Sequence, residues 1–318
     1  MPRRLPRSLP TALLTGALLA AGTGIAPVAA HAAVPQRTAA AVAAAAGPCK
    51  STADPQAAKR LGNGITAALR GRTGTESVAV YDRKRGITCW VGSSRRYDSA
   101  SVVKATILGA LLRKVVDQKR KMTAKEKSLA HKMITRSDNA AASTLWKSVG
   151  RTRMQRFLTQ ANMRQTRLGP GGYWGLTQIT AYDEIQLLSR LTKRNALLPD
   201  KARAYALGLM NSVVSSQRWG TPTGRPSGAT WHVKNGWLPR HGKYWRVHSI
   251  GAFTGRGHDY MIVVLTQNTP SMKYGVASIE RVATAVHRGL NPGMRSMTSQ
   301  SVPDATWEVS DGSVPPNV

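Results

Sequence analysis

Tyr97-Asp-Ser-Ala-Ser101-Val-Val-Lys104-Ala-Thr-Ile-Leu108 is the stretch from which the architecture can be read. From Val102 to Val116 the apolar residues, among them Val103, Ile107, Leu111 and Val115, go round most of a helical circumference. That pattern predicts a helix covered on nearly every side. A hydroxyl in its first turn would then sit on the floor of a cleft. Residues i and i+3 share a helical face, so Ser101 and Lys104 are spaced to be hydrogen-bonding neighbours. A serine is a weak nucleophile until a base takes its proton, and a neutral lysine amine could do so. The free amine titrates at about 10.4, so work near neutral pH requires that value to fall by roughly three, on the order of 4 kcal/mol. Burial, a nearby cation and a helix N-terminus are the available causes.

Ser-x-x-Lys alone is common, and an N-terminal serine with an exposed lysine would look the same. Two later phrases change its weight. Arg136-Ser137-Asp138-Asn139-Ala-Ala reads as a loop entering a helix with Asp138 as N-cap. Trp231-His-Val-Lys234-Asn235-Gly236-Trp237 reads as a strand ending in a lysine with a glycine two residues on. Each has a plain structural explanation, a cap and a turn. In this order the three are far more specific than any one of them.

Around these motifs, Pro55 to Leu69 is helical in pattern, and Ser77 to Asp82 with Gly86 to Val91 reads as a β-hairpin. Helical stretches follow at about 123–135, 138–148, 151–161, 180–194 and 199–212. Strands return at Thr230–Val233, Trp245–Thr254 and Asp259–Gln267, before a last helix from about Tyr274 to Arg288. The expectation is an α+β fold: one antiparallel sheet built from both chain ends and flanked by helices, with an all-helical lobe inserted between them.

With these motifs the sequence resembles the active-site serine penicillin-recognising family, class A β-lactamases and penicillin-binding DD-peptidases, over roughly residues 55–290. The resemblance implies a β-lactamase-like fold and an acyl-enzyme on Ser101 with Lys104 as its general base. It further implies that Ser137 relays a proton to the leaving nitrogen and Asn139 holds the substrate amide. Lys234, Asn235 and Gly236 would form the carboxylate-binding third motif, with the backbone amides of Ser101 and Trp237 as the oxyanion hole. The substrate implied is a β-lactam or a peptidoglycan-like amide, handled by a single chain without a cofactor.

The departures from that family are as informative. No carboxylate occurs between Asp138 and Asp183, so the glutamate that activates the deacylating water in class A enzymes is missing. Asp183 and Glu184 fall inside the next helix and read as solvated or capping. Asn235 stands where the family has Thr or Ser, and Trp237 is unusually large beside the oxyanion position. Ser101 and Ser137 are close in sequence, which predicts a trimmed lobe and a more open cleft. These features keep three readings in play: a slow hydrolase, a peptidoglycan DD-peptidase, and a protein that binds penicillin or wall peptide without turnover.

The chain ends carry other signals. Arg3, Arg4 and Arg7 precede an apolar run from Thr11 to Gly22, and Ala30-His-Ala32 offers a cleavage site, so residues 1–32 read as a secretory signal. An Ala-rich linker is expected over 33–54 and a disordered tail over 291–318. Cys49 and Cys89, the two cysteines, are expected to form a disulfide in an exported chain, two buried thiols being the alternative.

Forty-six Lys and Arg against 15 Asp and Glu give a net charge of +31, which would be +28 without residues 1–32. Such a surface should attract anionic wall polymers. The basic residues are scattered and no nucleic-acid motif is present, so no specific nucleic-acid partner is expected. His232, His241, His248 and His258 lack the spacing of a metal-ligand pair, and two cysteines cannot form a thiolate zinc cage, so no metal is expected. Arg246 and His248 are further candidates for carboxylate binding. A secreted, wall-associated protein is the expected setting.

Overall fold

The computed structural model describes residues 47–240, 244–293 and 313–315. The expected signal sequence, residues 33–46 of the expected linker and His241 lie outside the described residues. In chain order the elements are β1 (Cys49–Lys50), α1 (Pro55–Leu69), β2 (Thr75–Asp82), β3 (Ile87–Val91) and β4 (Tyr97–Asp98), followed by α2 (Val103–Asp117), α3 (Ala124–Thr135), α4 (Asn139–Val149) and α5 (Arg151–Gln160). Then come β5 (Gln178–Ile179), α6 (Ala181–Thr192), α7 (Asp200–Asn211), β6 (Thr230–Arg240), β7 (Tyr244–Gly255), β8 (His258–Thr269) and α8 (Met272–Leu290).

Six strands form an antiparallel sheet in the order β1-β3-β2-β8-β7-β6. The two ends of the domain meet at its centre, where Ser77 of β2 pairs with Leu265 of β8. Both faces of β8 are covered, which explains its unbroken apolar run. Met261, Val263 and Leu265 face the helices α2–α7, while Tyr260, Ile262 and Val264 face α1 and α8. The expected α+β architecture with an inserted helical lobe is the one observed. Every residue of α2 from Val103 to Leu112 is buried, as its encircling apolar pattern requires.

Folded structure starts earlier than the boundary expected at residue 55. Cys49–Lys50 is a strand because Cys49 stands opposite Cys89 in the β1–β3 pairing and the two are joined by a disulfide. At the other end, the expected tail contains buried residues: Ser313 and Val314 are 1% and 5% exposed. An aliphatic side chain there has found an apolar seat.

Two histidines inside the fold are held neutral. His287 lies 2.8 Å from both the Tyr260 hydroxyl and the Thr221 carbonyl, and burial pushes its pKa down to about 3. The carbonyl can only accept, so Nε2 carries the proton and Nδ1 accepts from the tyrosine. His248 accepts the Thr266 N–H at Nδ1, lies 2.8 Å from the Asp98 carbonyl at Nε2, and is pushed down to about 4 by the same desolvation.

In the unfolded chain both would titrate near 6.5. Below that value the unfolded state binds protons that the folded state refuses, so stability falls with pH until the folded imidazoles also titrate. Between pH 7 and pH 5 the loss should be about 2 kcal/mol for each histidine. Urea unfolding at the two pH values measures the sum. A histidine NMR titration showing both rings protonating near pH 6.5 in the folded protein would refute the account.

Candidate active site

Ser101 lies in a 3-10 turn, Ala100–Val102, that leads directly into α2. Ala100 has φ +46°, a left-handed backbone that an alanine adopts only when its surroundings hold it there. Those surroundings are specific. The Ser99 N–H donates to the Thr177 carbonyl at 2.8 Å, and Gly236 of β6 presses against the other side. A Cβ on Gly236 would lie 2.8 Å from the backbone nitrogens of both Ser101 and Val102. Only glycine lets the strand approach the Ser101 turn so closely. Ser137, in the turn between α3 and α4, is the second strained residue, with φ +59°. Asp138 beside it caps α4 by accepting the Ala141 N–H at 2.7 Å.

Lys104 and Lys234 are both at most 1% exposed. Lys104 Nζ lies 2.8 Å from Ser101 Oγ, 2.5 Å from both the Ser137 carbonyl and Asn139 Oδ1, and 3.2 Å from Ser137 Oγ. Lys234 Nζ lies 3.0 Å from Ser137 Oγ on its other side. The Ser137 carbonyl and the Asn139 amide oxygen can only accept, so they take two of the Lys104 N–H groups. Ser101 Oγ and Ser137 Oγ lie within reach of the remaining position. An ammonium donates to the Ser101 hydroxyl, whereas a neutral amine offers it a lone pair, and the same geometry serves both. Thus the structure brings Ser101, Lys104, Ser137, Asn139 and Lys234 into one cluster.

Strand alternation decides what the rest of the third motif does. Lys234, Gly236 and Leu238 lie on the face of β6 toward the Ser101 turn. Asn235 and Trp237 are on the other face. The Asn235 amide donates to the carbonyls of Gln217 and Trp219 at 2.9 and 3.1 Å, so its role is to hold that loop rather than to bind a substrate carboxylate. The Trp237 ring packs 6.1 Å from that of Trp219, on the same face as Asn235.

Two other expectations are corrected. Asp183 and Glu184 are fully buried rather than solvated. Asp183 accepts from the Thr166 hydroxyl and the Gln165 N–H, tying that segment to α6, although burial still raises its pKa. Burial, and next the neighbouring Asp183, push the pKa of Glu184 well above the ordinary carboxyl range. His248 is likewise a support, since it props the Asp98 carbonyl from within the sheet. His232 is satisfied by the Leu207 carbonyl at 2.8 Å and the Thr254 hydroxyl at 3.1 Å.

Three contributors escaped the sequence reading. Trp174 lays its ring 4.7 Å from Lys104 Nζ, and its indole N–H donates to Ser143 Oγ at 3.0 Å. The loop that follows α5 therefore offers Lys104 an aromatic face. Arg240 lies 3.2 Å and Arg246 3.8 Å from the Asp98 carboxylate, and Gln178 donates to the same group. Arg246 thus joins a half-neutralised cationic cluster at the end of β6, with Arg240 as the partner not foreseen.

The sequence profile of the β-lactamase enzyme family matches residues 117–290, more than half of the chain. The chain belongs to the β-lactamase enzyme family. Its Ser-x-x-Lys turn precedes the matched span, so the structure, rather than the profile, joins that turn to the family's later motifs. "Putative lipoprotein LppW" of Mycobacterium tuberculosis is 28% identical over 197 residues, 60% of this chain. The chain spans 62% of that relative's length.

The crystal structure of the TLA-3 extended-spectrum β-lactamase is similar with a TM-score of 0.66 at 16% identity, covering 73% of this chain and 98% of that one. A β-lactamase from Sphaerobacter thermophilus matches with a TM-score of 0.62 at 20% identity, covering 74% and 98%. At such identities the likeness is one of fold, here the class A β-lactamase fold.

Two substitutions separate structural from chemical roles in the third motif. Gly236→Ala should force β6 off the turn, with at least about a hundredfold loss of acylation by a penicillin and a stability cost of about 1–3 kcal/mol. Asn235→Ala should cost about 1–3 kcal/mol by orphaning two buried carbonyls, while acylation stays within a few-fold of wild type. Thermal melts and acylation rates measure both. A large acylation loss in a stable Asn235→Ala protein would restore a substrate contact to that residue.

Proposed function

We propose that this chain is a secreted active-site serine hydrolase that forms an acyl-enzyme on Ser101 with β-lactams or related amides and esters, and releases it slowly. The observation that carries the reading is the Lys104–Ser101–Ser137–Lys234 relay. Neutral Lys104 takes the Ser101 proton as Oγ bonds to the substrate carbonyl carbon and the carbonyl oxygen becomes an oxyanion. The backbone amides of Ser101 and Trp237 would receive that charge, and one such donor is typically worth about 3 kcal/mol. Collapse breaks the C–N bond, and the leaving nitrogen takes the Ser137 hydroxyl proton, which Lys104 replaces.

Ser137 suits the shuttle because lysines approach its oxygen on two sides at 3.2 and 3.0 Å, leaving its own proton to be donated. Lys234, with Arg240 and Arg246 further along the strands, supplies the positive field for a substrate carboxylate. Asn139, whose side chain lies beside Lys104, fits the role of substrate-amide contact.

Slow release follows from the loop. Trp174 over Lys104 and the absence of any carboxylate between Asp138 and Asp183 leave no water-activating base of the class A kind in that segment. The same observation supports a second reading, a DD-peptidase or wall-peptide binder that keeps its acyl group. Export is supported by the N-terminal pattern, by the Cys49–Cys89 disulfide, and by a relative named as a lipoprotein. The high positive charge favours retention on anionic wall polymers, and the chain is proposed to act as a monomer.

Intact-protein mass spectrometry of the chain incubated with benzylpenicillin tests the reading. The expected result is one adduct that forms in wild type, is missing in Ser101→Ala, and decays over many minutes with free product exceeding one equivalent. An adduct that never decays would select the trapping reading. No adduct, or an equal one in Ser101→Ala, would reject acylation at Ser101.

A further inference from the structure

The segment Ser313–Pro315 is seated beside the turn that carries Ser101, more than a hundred residues from any part of α2 in sequence. Val314 packs into an apolar cluster with Ala100 and Leu238, with Leu176 against it. These positions adjoin the proposed chemistry directly. Ala100 immediately precedes Ser101, Leu238 immediately follows Trp237, and Leu176 belongs to the loop whose Trp174 lies over Lys104. The Ser313 carbonyl accepts the Gly175 N–H at 3.2 Å. Gly175 has no room for a side chain because of this contact: a Cβ there would lie 2.3 Å from Ser313 Oγ and 2.7 Å from its Cβ.

Charge supplies an independent argument for the same pairing. In a chain of net charge +31, residues 296–318 contain Asp304, Glu308 and Asp311 and no lysine or arginine. This stretch is anionic in sequence, and its described residue Val314 is seated beside a cluster that holds Lys104 and Lys234, with Arg240 and Arg246 further along the strands. An acidic peptide with a small branched aliphatic residue therefore matches the site in both charge and shape.

We propose that Ala100, Leu176 and Leu238 form a side-chain subsite for an extended acidic peptide, and that its occupant is this chain's own segment around Val314, which restricts access to Ser101. The restriction of acylation rests on the serine-hydrolase reading. The peptide subsite does not, because docking requires no reaction at Ser101. The described contacts of the segment include the Val314 seat and the hydrogen bond between the Ser313 carbonyl and the Gly175 N–H.

The test uses the full chain as wild type, Val314→Asp and Val314→Ile. A carboxylate cannot enter the apolar seat, whereas isoleucine keeps it filled. Second-order acylation by a fluorescent penicillin should rise about tenfold or more in Val314→Asp, given the burial energy of a valine side chain, and stay near wild type in Val314→Ile. A labelled synthetic peptide of residues 304–318 should bind the Val314→Asp chain, measured by anisotropy, and slow its acylation toward the wild-type rate. The same peptide carrying the Val314→Asp change should do neither.

Equal acylation of wild type and Val314→Asp would overturn the restriction, and failure of the peptide to bind would overturn the subsite. Should no variant acylate at all, the serine-hydrolase reading fails and the anisotropy result alone decides the subsite.

Discussion

The whole site depends on one close approach, that of the β6 backbone to the turn carrying Ser101. Gly236 makes it possible by having no side chain, and the two backbone nitrogens it faces are those that follow the strained Ala100. Everything functional is referenced to that contact. It sets the β6 backbone beside the backbone nitrogens of Ser101 and Val102, and strand alternation then turns Asn235 and Trp237 to the opposite face. A sheet edge and a helix start have been pressed together until only main chain fits between them.

Around the contact the protein concentrates its polar burial. Two lysines with almost no exposure share the Ser137 hydroxyl, and the oxygens of Ser101, Ser137 and Asn139 encircle one of them. Buried charges persist only where such partners are arranged in advance. The left-handed backbones of Ala100 and Ser137 show that the arrangement is maintained against local preference. The strain is held in place by the packed helices and sheet on either side.

Much of this was legible in the chain because it is encoded locally. The encircling apolar pattern of α2, the hairpin alternation and the three short motifs each involve residues within a few positions of one another. Orientation across a strand was also in principle readable, since alternate residues must face opposite ways, and that rule places Asn235 away from the cleft. What could not be read is what depends on distant segments meeting. Trp174 reaches Lys104 only through the fold of the 169–177 loop, and Asp183 and Glu184 look solvated until the 165–166 segment closes over them. Val314 shows no periodicity at all; its burial comes from a pocket assembled by residues 100, 176 and 238.

The topology of the sheet has a consequence for when the serine-lysine cluster can assemble. The strand beside β2 is β8, so Ser77 waits for Leu265, and the lysine that flanks Ser137 is 97 residues downstream of it. Pairings of such long range make folding slow and place sheet completion late. During synthesis, Ser101 and Lys104 emerge long before β6 through β8 exist to press against them. The nascent chain thus carries Ser101 and Lys104 without Lys234 beside Ser137, and the serine-lysine cluster is completed only when the last strands dock.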